Sequence, residues 1–203
     1  FIISKVPNQV YQRRYVPVDD GEHVAVDCAF PASGYNPNRK VYLVFHGLNG
    51  GSGEEYVKDL VVRRLPEDET VCVMIARGLM NTELVGDKFF NGARVSDAHH
   101  VAGRIKKQMS GKDDNLLIGV GYSMGGIILS NYAARMGKEA HFDAAVSFAG
   151  AIDMRFNIYN ERSLWLWQPF LVRTLRDNFF YRFYHHYGSK MTEEQIEMAR
   201  IGR

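Results

Sequence analysis

The sequence predicts an α/β domain built on a mostly parallel sheet, and three observations carry that expectation. Short, continuously apolar runs recur at Val41–Phe45, Val71–Ala76, Leu116–Val120 and Ala144–Ala149, and runs of this length suit strands buried on both faces. Segments of helical length lie between them, and strand–helix alternation is the pattern of parallel strands joined by crossover helices packed on both sides. Ahead of these runs, Val10–Val18 and His23–Phe30 are rich in β-branched and aromatic residues and flank the turn signal Asp19-Asp20-Gly21-Glu22, which predicts an N-terminal antiparallel hairpin.

Each later element has its own reason. Pro31–Arg39 is a Pro/Gly/Asn loop, and Glu54–Leu65 has helical length. In Val95–Met109 the residues Val95, Ala98, Ala102, Ile105 and Met109 repeat at three- and four-residue spacing along one helical face. A third helix is expected over Met124–Met136. After Gly150 the pattern changes, because Phe156 to Tyr187 is dense in aromatics and contains no buried-strand run. The expected organisation is one domain over residues 1–203: core strands and helices over 1–150, a helical aromatic cap over 151–190, and a polar, capped terminal helix from Thr192 within 191–203.

Composition narrows the function classes. A formal net charge of +2 without a run of like charges argues against nucleic acid as a partner. Cys28 and Cys72 stand in apolar stretches without metal-ligand spacing and read as free, buried, small hydrophobes, so no disulfide framework is expected. No stretch of about 18 apolar residues suggests a membrane span. The chain begins at Phe1 rather than Met, which leaves membrane association through a preceding segment open.

Gly121-Tyr122-Ser123-Met124-Gly125 fits the G-x-S-x-G nucleophile elbow in its required setting, with an apolar strand leading in and a helix leading out. Such a turn forces the serine into a strained conformation that lifts its hydroxyl off the sheet. Only small residues fit around it, a demand that Gly121, Gly125 and Gly126 meet. His46-Gly47-Leu48-Asn49-Gly50-Gly51 follows the strand Val41–Phe45, where an acyl-transfer site needs its second backbone donor. Leu48 and Met124 are the expected oxyanion donors, Ser123 the nucleophile, and His46 a residue that holds the turn. Gly51-Ser52-Gly53 lacks the third glycine of a dinucleotide fingerprint and has no Gly-Lys-Ser/Thr, so no nucleotide cofactor is expected. His99-His100 and His185-His186 are adjacent pairs unsuited to one ion, and no metal site is expected.

These motifs, with Arg77-Gly78 after the next strand, Asp97 early in the following helix and Ala149-Gly150-Ala151-Ile152-Asp153 after the sixth strand, resemble the YheT-like α/β-hydrolases. That family includes bacterial esterases and eukaryotic α/β-hydrolase-domain proteins, some of them membrane-anchored lipid hydrolases. Leu79-Met80-Asn81 and Asn91-Gly92-Ala93 depart from the family pattern in loops that shape the pocket.

The resemblance implies an α/β-hydrolase fold and a serine esterase or lipase that forms an acyl-enzyme on lipid or small acyl esters without a cofactor. It also implies two further strands carrying the triad acid and histidine, with no counterpart before Arg203. The chain is therefore expected to be an incomplete, inactive piece of the domain. Asp153 is a secondary candidate for the acid, whereas His185 and His186 fall where the cap belongs. Trp165, Trp167, Phe170, Phe179, Phe180 and Phe183 would offer apolar surface to an acyl chain. The other reading is a non-catalytic binding protein on the same fold.

Overall fold

The computed structural model describes residues 6–86, 88–111, 115–151, 153, 155 and 160–201. The chain forms two compact units, Phe1–Val85 with Phe89–Ala151, and Gly86–Lys88 with Ile152–Arg203.

The first unit contains a six-stranded sheet: β1 (Gln12–Pro17), β2 (His23–Ala29), β3 (Val41–Phe45), β4 (Thr70–Met74), β5 (Leu117–Tyr122) and β6 (Ala144–Phe148), in the order β1-β2-β4-β3-β5-β6. β1 and β2 form the expected antiparallel hairpin, with Arg14 opposite Val26. Its turn closes through hydrogen bonds from Val18 N–H to Glu22 C=O at 3.0 Å and from Gly21 N–H to Val18 C=O at 3.2 Å. Gly21 has φ 81° there, a conformation natural to glycine. β2 pairs antiparallel with β4, whereas the β3–β4, β3–β5 and β5–β6 pairs are parallel.

Three helices link the parallel strands: α1 (Glu55–Arg64), α2 (Ser96–Lys106) and α3 (Met124–Met136). α1 buries Val57 and Val61 completely, one turn apart, and α2 buries Ala98, Val101 and Ala102. The periodic face expected over Val95–Met109 thus forms, but the helix itself stops at Lys106. Every residue of β3 and β4 is buried. Each fully buried Val, Leu or Phe side chain contributes about 1.5–3 kcal/mol relative to exposure.

β6 differs from its expected environment. Its sequence, AAVSF, reads as a strand covered on both faces, yet all five residues are exposed, Val146 and Phe148 by 43% and 50%. β5 is its ladder neighbour, and β6 forms the edge of the sheet among the described residues. An apolar run records a preference for burial but does not supply the surface that satisfies it.

Past β4, a buried guanidinium ties three segments together. Arg77 makes paired hydrogen bonds to Asp97 at the start of α2 (2.6 and 2.8 Å) and to Asp20 in the hairpin turn (2.9 and 3.1 Å). Burial disfavours the Arg77 charge, but the hydrogen bonds it donates to both carboxylates outweigh this and raise its pKa.

The second unit is helical. Wide π-helical turns at Ser163–Trp167 and Arg176–Phe180 alternate with α4 (Gln168–Leu175) and α5 (Tyr181–Tyr187), and α6 spans Glu193–Ile201. Thr192 caps α6 reciprocally: its Oγ1 accepts from Gln195 N–H at 3.2 Å, and its N–H donates to Gln195 Oε1 at 2.9 Å. Leu164, Trp165, Leu166, Trp167 and Phe170 are exposed by 46% to 84%. Ile152, the aromatic positions Phe156 and Tyr159, and the side chain of Phe179 lie outside the described residues.

Candidate active site

β5 delivers Ser123 at its C-terminal end, and α3 starts at the next residue. Ser123 has φ 52° and ψ −115°, a conformation that L residues rarely adopt and that persists only when its surroundings enforce it. Those surroundings are crowded. A Cβ on Gly121 would lie 2.5 Å from the Gly125 carbonyl oxygen, and one on Gly125 would lie 2.0 Å from the Phe45 carbonyl oxygen. A Cβ on Gly126 would meet Ser147 Oγ at 2.6 Å. Glycine is thus required where β5, α3 and β3 converge.

The Ser123 N–H is held by the Phe148 carbonyl at 2.8 Å. Its side chain is exposed, and among the described residues its hydroxyl makes no hydrogen bond. The first α3 hydrogen bond runs from Ile127 N–H to Ser123 C=O at 3.1 Å, which leaves Met124 N–H among the free donors at the positive end of the helix.

The loop after β3 passes beside Ser123. A Cβ on Gly47 would sit 3.5 Å from Ser123 Cβ and 3.7 Å from the Tyr122 carbonyl oxygen. Gly47 N–H donates to the Tyr56 hydroxyl at 3.0 Å, and Gly50 N–H closes a turn on the Gly47 carbonyl at 3.0 Å. Asn49 takes φ 57° within that turn. Leu48 N–H, like Met124 N–H, has no acceptor among the described residues. Leu48 N–H in this loop and Met124 N–H at the start of α3 are thus free donors on the two segments that flank the exposed Ser123.

His46 is engaged by this loop rather than available to Ser123. Its Nε2 accepts from Ala76 N–H at 3.0 Å, so Nδ1 carries the proton and donates to the Gly47 carbonyl at 2.7 Å. Burial lowers its pKa, which keeps the ring neutral. Farther along, Ser52 Oγ donates to Asp27 at 2.6 Å, and Tyr11 donates its hydroxyl to the Ser52 carbonyl at 2.9 Å. Asp27 also receives a fork of two hydrogen bonds from Arg13 at 2.7 and 2.9 Å. Burial works against the Asp27 charge, but the bonds from Arg13 and Ser52 prevail and hold its pKa below the ordinary carboxylate value.

The remaining candidates lie elsewhere. His99 stacks near His141, with ring centroids 4.5 Å apart, and His100 pairs with Asp19 at 2.6 Å. His185 and His186 belong to α5 of the second unit, where Asp153 is an exposed carboxylate paired with Arg155 at 2.7 Å. Among the described residues, neither His99 nor His100 hydrogen-bonds to Ser123. No group of three or more potential metal ligands occurs among the described residues.

Against solved structures, the chain superimposes on the Pyrococcus furiosus esterase Pf2001 with a TM-score of 0.59 at 13% identity, covering 82% of this chain and 60% of the esterase. A thermostable carboxyl esterase from Bacillus coagulans gives a TM-score of 0.50 at 19% identity, over 68% and 44% of the two chains. This chain has the α/β-hydrolase fold.

Sequence relatives carry the same fold name or lipase names. The chain is 26% identical over 203 residues to an abhydrolase domain-containing protein of Dictyostelium discoideum, covering 97% of this chain and 51% of that protein. It is 26% identical over 157 residues to human phospholipase ABHD3 (73% and 36%) and 25% identical over 122 residues to a monoacylglycerol lipase of Saccharomyces cerevisiae (60% and 26%). The chain thus spans about a quarter to a half of the length of these relatives. No family model matches it.

Within this α/β-hydrolase fold, sequence reading missed the supports of the loop after β3. Tyr56, Tyr11, Ser52, Asp27 and Arg13 hold it through contacts made by three separate segments. Asp27 carried one visible signal, as a lone carboxylate within the apolar strand HVAVDCA.

Proposed function

We propose that this chain carries the nucleophile and oxyanion site of a serine ester hydrolase acting on lipid or small acyl esters. The observation that carries the reading is the placement of Ser123, exposed at φ 52° in a turn where only glycines fit, beside the loop containing Leu48. Ser123 Oγ attacks the ester carbonyl carbon while a general base of the full-length protein takes its proton. The carbonyl oxygen becomes an oxyanion and accepts hydrogen bonds from Leu48 and Met124 N–H, a donor pair in which each member is worth about 3–4 kcal/mol in the transition state. Collapse expels the alcohol, which leaves with a proton, and water then releases the acid from the acyl-enzyme. The scheme requires neither a metal nor a cofactor.

His46 is excluded as the base because both of its ring nitrogens are committed to the backbone. The lipase names of the relatives support an acyl-chain substrate. The test uses the full-length protein with p-nitrophenyl esters of short and long acyl chains and a fluorophosphonate probe. Ser123→Ala is expected to abolish turnover and labelling while its unfolding midpoint stays at the wild-type value. Labelling that persists in Ser123→Ala would overturn the assignment. A wild-type protein that neither labels nor turns over would point to the binding-protein reading.

A further inference from the structure

Cys28 and Cys72, which sequence reading treats as two unrelated hydrophobes, are direct Cα partners in the antiparallel β2–β4 pair. Opposed residues in such a pair have Cα atoms about 4.5–5.5 Å apart, inside the roughly 4.4–6.8 Å range that a disulfide spans. Their sulfurs lie 3.2 Å apart, with the Cys72 thiol donating to Cys28 Sγ. Closing from that separation to a bond of about 2.05 Å calls for small side-chain rotations rather than backbone movement.

Both thiols are free and nearly buried, exposed by 7% and 5%. Even so, both line a cavity of about 430 Å³ within the first unit, which offers a small oxidant a route to the sulfurs. Arg14 and Arg104 line the same cavity, and no carboxylate pairs with either among the described residues. The two sulfurs are also unequal. The hydrogen bond from Cys72, with the nearby Arg14 charge assisting, lowers the Cys28 pKa against the opposing effect of burial. The same hydrogen bond, followed by burial, raises the Cys72 pKa well above its ordinary value. Cys28, which receives the Cys72 hydrogen bond and lies near the Arg14 charge, is accordingly the attacking sulfur and Cys72 the resolving thiol.

We propose that Cys28 and Cys72 form a peroxide-oxidisable dithiol that closes into a cross-strand disulfide between β2 and β4. The Cys28 thiolate attacks one oxygen of hydrogen peroxide. The O–O bond breaks, leaving a sulfenic acid on Cys28 and hydroxide, which takes up a proton. Cys72 sulfur then attacks Cys28 sulfur, the S–O bond breaks, and the oxygen departs as water with the thiol proton. Overall, two thiols and one peroxide give one disulfide and two waters: the thiols lose two electrons and the peroxide gains them. The bond would lock the strand whose Asp27, next to Cys28, holds Ser52 of the loop beside Ser123.

The test takes the reduced full-length protein, treats it with a modest excess of hydrogen peroxide, alkylates all remaining thiols under denaturing conditions and maps the peptides by mass spectrometry. The expected result is one disulfide-linked peptide pair joining Cys28 to Cys72, with both thiols protected from alkylation and restored by dithiothreitol. In Cys72→Ser, dimedone should trap a sulfenic acid on Cys28. Full alkylation of both cysteines after treatment that oxidises exposed methionines would overturn the proposal, and so would a disulfide found only between chains. The wild-type map alone decides it if the variant does not fold.

Discussion

β3 and β6 both flank β5 in parallel, and both have the composition of a buried strand, yet β3 is buried along its whole length and β6 is exposed along its own. The elbow touches both. Gly125 fits against the backbone of β3 at Phe45, whereas Gly126 fits first against a side chain of β6, Ser147 Oγ, and less tightly against the Gly150 backbone. The difference is one of compliance: a backbone carbonyl at the end of a fully buried strand cannot readily retreat, but a hydroxyl on an exposed strand can rotate away. The loop containing Leu48 continues from the rigid neighbour, and the Ser123 N–H is anchored to the exposed one.

The sharpest way to break this comparison is to add the same methyl group on each side. Gly125→Ala places Cβ 2.0 Å from the Phe45 carbonyl oxygen, and the resulting backbone displacement is expected to cost on the order of 4 kcal/mol or more. Gly126→Ala is expected to cost about 1–2 kcal/mol, because Ser147 can rotate and the Gly150 backbone, at 3.1 Å, need move only slightly. Urea denaturation of both variants measures the gap. Equal losses would mean that β6 is as rigid as β3.

The next test leaves the elbow alone. Leu43 in β3 is completely buried and Val146 in β6 is 43% exposed. Leu43→Ala should therefore lose about 2–5 kcal/mol, and Val146→Ala no more than about 0.5 kcal/mol. A Val146→Ala loss comparable to that of Leu43→Ala would show that β6 is covered in solution.

On the β3 and β4 side, acid supplies a third probe. The hydrogen bonds from Arg77, with its charge, depress the Asp20 pKa from 3.8 to about 2 despite some burial. A carboxylate whose folded pKa is depressed contributes stability that is fully present above its unfolded value and is lost as pH falls through its folded value. Asp27, also depressed, adds a contribution of the same sign. Melting temperature should therefore fall between roughly pH 4 and pH 2. In Asp20→Asn it should start lower at neutral pH and fall less over that interval, and a decline as steep as wild type would remove Asp20 from the account.

What the sequence disclosed follows the same division between local and distant causes. The strands, the hairpin and the elbow were legible because each depends on neighbours within a few residues: apolar runs, a turn signal, glycines two before and two after a serine. Leu48 and Met124 could be proposed as oxyanion donors because their places are set by strand ends. The Cys28–Cys72 contact was not legible, since it depends on β2 pairing with β4 across the intervening β3 and α1, nor was the Asp27 network, since it needs Ser52 brought back to β2 from the loop after β3. The exposure of β6 was equally hidden, because composition states what a strand would bury and not what lies over it.

The smallest expected effect concerns the residues that end β5 and β6. Ser123 and Ala149 both take φ 52° immediately after their strands, and both side chains are exposed. A non-glycine residue held in such a region stores about 1–3 kcal/mol. Replacing it with glycine releases that strain but enlarges the unfolded ensemble at a cost of roughly 0.5–1 kcal/mol. Ser123→Gly should therefore be about 1 kcal/mol more stable than Ser123→Ala, in which the strain persists. Ala149→Gly tests the compliant side. If β6 can adjust, Ala149 has already relaxed part of its strain, and the gain should be smaller than at Ser123. Matched thermal melts of the three variants measure the difference. A gain at Ala149 equal to that at Ser123 would place equal strain at the two strand ends, and the contrast drawn from their exposure would not hold.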